Sequence, residues 1–386
     1  MPVREIVAAI ERTLGPVRRP VALHEPRFGG REWEYLKRCL DSGWVSSAGG
    51  FVGELEAKLA ALCEVEHAVA TVNGTAALHA ALHVAGVRPG DEVFVPALTF
   101  VATANAVAYC GATPHFVDSD ASGLGVDPGK LDARIRRIAV RRGEAWVNRE
   151  TGRPLRAVVP VHVFGHPADM DALGALARDF GLSVVEDATE ALGSRYRARP
   201  CGGLAGLGVL SFNGNKIVTA GGGGALLTRD ARLAERARHL ATTAKVPHKW
   251  AFLHDEVGWN YRLPSLNAAL ALAQLEQLAG FVGAKRSLAS RYADAFASIP
   301  GVRFLREPDG TESNYWLNAI LLEEDGGARD ALLEACHAAQ IHARPLWTPM
   351  HRLPMFRDCP RDDLSIAESI EQRLVNLPSS AALAMD

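Results

Sequence analysis

The sequence predicts an α/β protein: a large unit on a seven-stranded, mostly parallel sheet, then a smaller α+β unit. Three observations carry that expectation. The chain has 386 residues, more than one ordinary core accommodates, so a large domain joined to a smaller one is expected. From Glu66 onward, short apolar runs alternate with helical patterns, the rhythm of parallel strands covered on both faces. After Leu240 that rhythm stops, and long amphipathic helices with an isolated strand replace it. The division is placed at 255/256, with a large unit over 1–255 that includes an N-terminal helical segment, and a small C-terminal unit over 256–386.

In chain order, Ile6, Ile10 and Leu14 sit at helical spacing, a peripheral amphipathic helix. A linker containing Pro16, Pro20 and Pro26 leads to REWEYLKRCLDSG, a helix stopped by Gly43. Residues 43–50 have loop chemistry, with Trp44 and the hydroxyls of Ser46 and Ser47. Strands are expected at 67–72, 92–95, 114–117, 157–161, 183–185, 207–212 and 225–228. Helices are expected at 76–85, 101–109, 128–140 and 168–180. Arg136, Arg137, Arg141 and Arg142 introduce a polar insertion read as a basic surface hairpin. The small unit is expected to hold helices at 263–277, 283–297 and 328–340, a strand at 314–322, and a loop rich in Pro, Trp and His at 344–356.

Composition narrows the function classes. Hydrophobic residues make up 48% and charged residues 22%, ordinary for a soluble protein with a substantial core. A formal charge of −2 gives no reason to expect nucleic acid or an acidic membrane as partner. The six cysteines are far apart and form no CxxC pair, so reduced thiols are expected and no metal site. Charges interrupt MPVREIVAAIERTLG, so it is not a signal peptide. No apolar run is long enough to span a bilayer, and a cytoplasmic protein is expected.

The stretch 183–227 holds the densest chemistry. One apolar run ends on Glu186 and Asp187; a second ends near Ser211, and the turn after it delivers Lys216 before the four glycines 221–224. Functional groups in open α/β sheets gather at the carboxyl ends of strands, so Asp187 and Lys216 can share one crevice. Lys216 reads as a Schiff-base lysine near a phosphate-binding Ser211, or as a surface lysine. Asp187 reads as the partner of a pyridinium nitrogen, or as a cap or core carboxylate. Upstream, Asn73-Gly74-Thr75-Ala76 joins a strand to a helix, which makes either an anion site or a plain helix cap. Glycines are costly in entropy, so a run of four implies close backbone approach.

Taken together, the chain resembles the sugar aminotransferases of the DegT/DnrJ/EryC1/StrS group, pyridoxal-phosphate enzymes of fold type I. The motifs that carry the resemblance run in order along nearly all of the chain: GWVSSAGGFVGELE, VNGTAALHAAL, VPALTFVATANAVAYCGATPHFVD, VPVHVFGHPADM, VVEDATEALGS, SFNGNK, GGGGAL and VGWNYRLPSLNAAL. Within the group, ATTAKVPHKW, WNYRLP and RPLWTPMHRLPMF look most like the 4-aminotransferases of bacillosamine and legionaminic acid routes, which act on a nucleotide-linked 4-keto-6-deoxy-N-acetylhexosamine.

The resemblance implies pyridoxal 5′-phosphate as cofactor and a role for each matching residue. Lys216 would form the Schiff base and move the proton, and Asp187 would pair with the pyridinium nitrogen. Gly74, Thr75, the Ala76 amide and Ser211 would hold the phosphate, with Asn260 reaching it from the neighbouring subunit of a homodimer. Phe100 would stack on the cofactor ring. Glu190 stands where the group's DAAQ motif has Gln, a residue that commonly contacts the cofactor 3-hydroxyl. Ser46, His162, Arg344, Trp347 and His351 are candidates for the sugar nucleotide. The expected reaction moves an amino group from glutamate to the keto carbon, C4, of a UDP-linked sugar. A dehydratase of the same fold is the nearest alternative, but its relatives carry His at the lysine position. A cofactor-binding protein without turnover is the other, and the missing GxGxxG speaks against a nicotinamide enzyme.

Overall fold

The computed structural model describes residues 2–323 and 326–385. Its main sheet has seven strands in the order His67–Thr71, Gly224–Thr228, Leu207–Ser211, Ser183–Asp187, Leu155–Val158, Glu92–Pro96 and Thr113–Val117. Gly224–Thr228 runs antiparallel to both neighbours, and the remaining pairs are parallel. Each of the seven apolar runs in the sequence meets one of these strands, although the run expected at 157–161 pairs over Leu155–Val158. Their burial is nearly continuous, as expected of strands covered on both faces.

The topology sets up one functional edge. Parallel strands end together there, so Asp187 and Ser211 arrive on the same side. The single antiparallel strand starts where they stop: Gly224 pairs with Ser211 on one side and with Thr71 on the other.

The small unit is a four-stranded antiparallel sheet in the order Val302–Phe304, Asn318–Leu322, Leu374–Leu377 and Arg344–Pro345. Helices Leu278–Phe296, Gly326–Ala338 and Ser365–Arg373 accompany it. The division at 255/256 stands as a proposal, and packing interleaves its two sides. Ile6, Ile10 and Leu14 bury with Leu288, Tyr292 and Val375, whereas Ala268, Ala269 and Leu272 bury with Phe51, Leu55 and Leu59.

Three local expectations change. Gly50–Leu62 is a helix with no counterpart among the expected elements: Gly49, Gly50 and Gly53 obscure it, while Phe51, Leu55 and Leu59 recur every four residues and bury. The helix expected at 283–297 begins earlier, as Leu278–Phe296, three residues after Ser265–Leu275 ends. The strand expected at 314–322 is ladder-paired only over Asn318–Leu322, and the residues before it turn into the site. Among the described residues, no helix is long and apolar enough to cross a membrane.

Candidate active site

A cavity of about 360 Å3 opens at the functional edge, lined by Gly74, Thr75, Phe100, Asp187, Glu190, Ser211, Lys216, Trp316 and Trp347 among others. Residues separated by most of the sequence converge here.

One wall is the start of helix Gly74–Val84. The Asn73 side chain caps it by accepting from the Ala76 amide at 2.7 Å. This corrects one expectation, because the Ala76 amide is already committed to the cap and is not an open donor for phosphate. Cap and cradle coexist, however: Gly74 and Thr75 still line the cavity, at the positive end of the helix dipole. The glycine at 74 is required by packing. A Cβ there would lie 2.9 Å from the Ser211 Cβ and 3.3 Å from the Thr189 Cγ2. The glycine run has the same cause on its far side. A Cβ on Gly224 would lie 2.6 Å from the Asn73 carbonyl carbon and from the Gly74 nitrogen. The antiparallel strand can thus press its backbone directly against the turn that starts the helix.

Asp187 ends its strand at 2% exposure. One carboxylate oxygen accepts from the Thr103 hydroxyl at 2.8 Å, and the other accepts from the Thr189 amide at 3.2 Å. No basic side chain pairs with it among the described residues. A buried carboxylate needs a compensating partner, and its open side is the cavity.

Lys216 reaches across from the turn at 213–215. Its ammonium donates to Glu190 Oε1 at 3.3 Å and lies 3.9 Å above the Trp316 ring centre. Glu190 Oε2 accepts from the Phe164 amide at 2.9 Å, and Phe164 is held at a φ of 58°. Burial pushes the Glu190 carboxyl above the usual range, although the Lys216 charge pulls the other way. Trp347 packs at 5.2 Å from Phe164 and 6.4 Å from Phe100 (ring centres), giving the cavity an aromatic rim. Phe100 is 55% exposed and lines the cavity, so its ring is free to cover a flat ligand.

Besides Ala76, five expected site residues lie outside the cavity lining. His162 is a correction. Val161 lines the cavity and His162 does not. The His162 ring is fully buried, with Nε2 on Glu186 at 2.9 Å and Nδ1 accepting from the Ala168 amide at 3.0 Å. It supports the floor of the site and cannot reach a substrate. His351 is also buried, and its Nε2 meets Glu368 at 2.8 Å. Arg344 is exposed on the edge strand of the small sheet. The Ser46 carbonyl accepts from the Ser265 amide at 2.9 Å, and the Asn260 side chain accepts from Arg262 at 3.1 Å. Roles for Ser46, Asn260, Arg344 and His351 stand as proposals.

Among the residues lining the cavity, Thr103, Thr189 and Trp316 escape sequence reasoning. Thr103 sits in the LTFVATAN motif, one helical turn from Phe100, and that spacing is the available signal. Trp316 gives none, because it comes from the small unit, across a gap of 100 residues from Lys216.

Comparison with known proteins agrees with this geometry. The sequence profile of the DegT/DnrJ/EryC1/StrS aminotransferase family matches residues 26–386. A GDP-perosamine synthase of Caulobacter vibrioides is 38% identical over 366 residues, covering 94% of each chain. Another, of Escherichia coli O157:H7, is 35% identical over 363 residues, again covering 94% of each. Among solved structures, S. venezuelae DesV in complex with a ketimine intermediate superposes with a TM-score of 0.81 at 33% identity, covering 92% of this chain and 90% of that one.

Proposed function

The chain belongs to the DegT/DnrJ/EryC1/StrS aminotransferase family and is a pyridoxal-phosphate-dependent sugar aminotransferase, and from that premise we propose that it aminates the keto carbon, C4, of a GDP-linked keto sugar with glutamate as donor. The observation that carries the reading is the convergence of Lys216, Asp187, Ser211, Gly74 and Thr75 on one cavity. The sequence motifs favour a UDP-linked N-acetylhexosamine. The names of the two relatives favour GDP, so GDP comes first and UDP is the outcome that would displace it.

The residues fit the cofactor. Thr75, Ser211 and the helix start would hold its phosphate, since they line the cavity at the positive end of the helix dipole. Asp187, fixed by Thr103 and Thr189, would face the ring nitrogen, and Phe100 would cover the ring. When bound, the cofactor supplies an electron sink that lets an amino group pass between carbon skeletons. Lys216 holds the cofactor and moves a proton as general acid and base. Trp347 and Phe164 exclude water from the rim. Asn260 would come from a second subunit of a homodimer.

The test is optical and then catalytic. Purified protein supplied with the cofactor should turn yellow, and Lys216→Ala should lose the visible band and all turnover. Protein that stays colourless would sink the cofactor assignment. A panel of GDP-, UDP- and dTDP-linked keto sugars then reads the nucleotide; preferential conversion of the UDP sugar would overturn the GDP assignment.

A further inference from the structure

We propose that Trp316 is a positioning residue: its indole face is the seat on which the Lys216 ammonium rests whenever that lysine is not joined to the cofactor. This rests on Lys216 being the cofactor-bearing lysine.

The geometry is a closed ring of contacts. The Lys216 ammonium lies 3.9 Å above the Trp316 ring centre, an attractive placement of a cation on an indole face. On its other side it donates to Glu190 Oε1 at 3.3 Å. The Glu190 carbonyl accepts from Asn314 Nδ2 at 2.9 Å, and Asn314 Oδ1 accepts from the Trp316 amide at 2.8 Å. The ring therefore returns to Trp316. The indole Nε1 closes a second link, donating at 2.7 Å to the carbonyl of Asn215, the residue before Lys216. Behind this, the fully buried Lys285 donates to the Trp316 carbonyl at 3.1 Å. Trp316 is thus held at its amide and its carbonyl while its indole holds the lysine-bearing turn.

An aromatic wall that only filled space would need neither the cation over its face nor the bond to Asn215. A donor amine enters as an ammonium, and when it displaces the lysine its extra proton passes to the leaving lysine, which is then a cation in a site lined by Asp187 and Glu190; the lysine returns that proton before it acts as a base. A seat of this kind stabilises that released state and keeps the lysine within reach for its return.

The experiment compares Trp316→Phe, Trp316→Tyr and Trp316→Leu with the wild type. The first readout is the concentration of α-methylglutamate that half-displaces Lys216, followed by the visible band; this amine carries no Cα proton and stops at displacement. Loss of the seat should raise that concentration by about 2- to 30-fold in Trp316→Leu, with Phe and Tyr between. A purely structural role predicts the opposite sign, because a loosened lysine is displaced more easily, and a fall or no change overturns the proposal. The second readout needs no cofactor: acetylation of Lys216 in the cofactor-free protein, relative to Lys37, by peptide mass spectrometry. It should accelerate in the order Trp, then Tyr and Phe, then Leu; equal rates overturn the proposal. If Trp316→Leu does not fold, the Phe and Tyr variants still give the sign. Wild-type protein without a visible band would refute the cofactor reading alone, leaving the acetylation order to judge the seat.

Discussion

Glu190 is bonded to a cation on one oxygen and to the Phe164 amide on the other, yet its burial dominates and raises its pKa. In the folded state it therefore keeps a proton at pH values where the unfolded chain has lost it. The resulting stability is full below the unfolded carboxyl pKa and is lost as pH rises through the higher folded value. Glu190→Gln removes that dependence. The variant should gain melting temperature relative to wild type as pH rises above the ordinary carboxyl range, and a difference that stays constant with pH would refute the assignment. Lys285 shows the converse. Burial lowers it to about 7, so the unfolded chain binds more protons between about 7 and the ordinary lysine value of about 10.4. Its contribution to stability grows over that window.

At the scale of elements, two glycines decide how closely strand and helix meet. Gly224→Ala would force a methyl group against the backbone of Asn73 and Gly74. It should cost about 1–3 kcal/mol and weaken cofactor retention, measured by thermal melts and by dialysis. Gly214→Ala, where nothing lies within 4 Å, should change stability by no more than about 0.5 kcal/mol. The same elements show what is legible in the sequence. All seven strands can be read there, because runs buried on both faces are mostly apolar, even where Arg156, His115 or Glu186 interrupts them. Asp187, Ser211 and Lys216 can be read as groups at strand ends. His162 is misplaced because a motif does not say which of its residues faces the cavity, and here Glu186 and the Ala168 amide take both ring nitrogens. The Ala76 amide is misplaced because a side-chain cap and a ligand compete for the same donor. Trp316 is invisible because its partner lies on another unit, and no local pattern encodes that approach.

At the scale of the whole molecule, exposed apolar side chains cluster on and beside the ribbon formed by Lys245–Val246 and Leu253–His254, including Trp250 at 74%, Phe252 at 81% and Val257 at 88%. Patches of this kind mark association surfaces, which supports the proposed homodimer. If Asn260 serves the partner's site, Lys216→Ala and Asn260→Ala variants should each be impaired alone. Mixed and allowed to exchange subunits, they should recover activity, because one site of each hybrid is then intact. No recovery, with exchange demonstrated by mass, would place Asn260 in its own subunit's site or in none.

The loop that carries Lys216 has a mechanical consequence. It leaves one strand and enters its antiparallel neighbour at the same edge. It is fastened at its base by the Phe212 amide on the Gly223 carbonyl at 2.8 Å and the Ala220 amide on the Phe212 carbonyl at 2.9 Å. With the Trp316 indole on the Asn215 carbonyl at 2.7 Å, the loop is held near its tip as well as at its base. Such fastening favours travel of the lysine by rotation about its own side-chain bonds over movement of the loop, so that the anvil stays still while only the hammer moves.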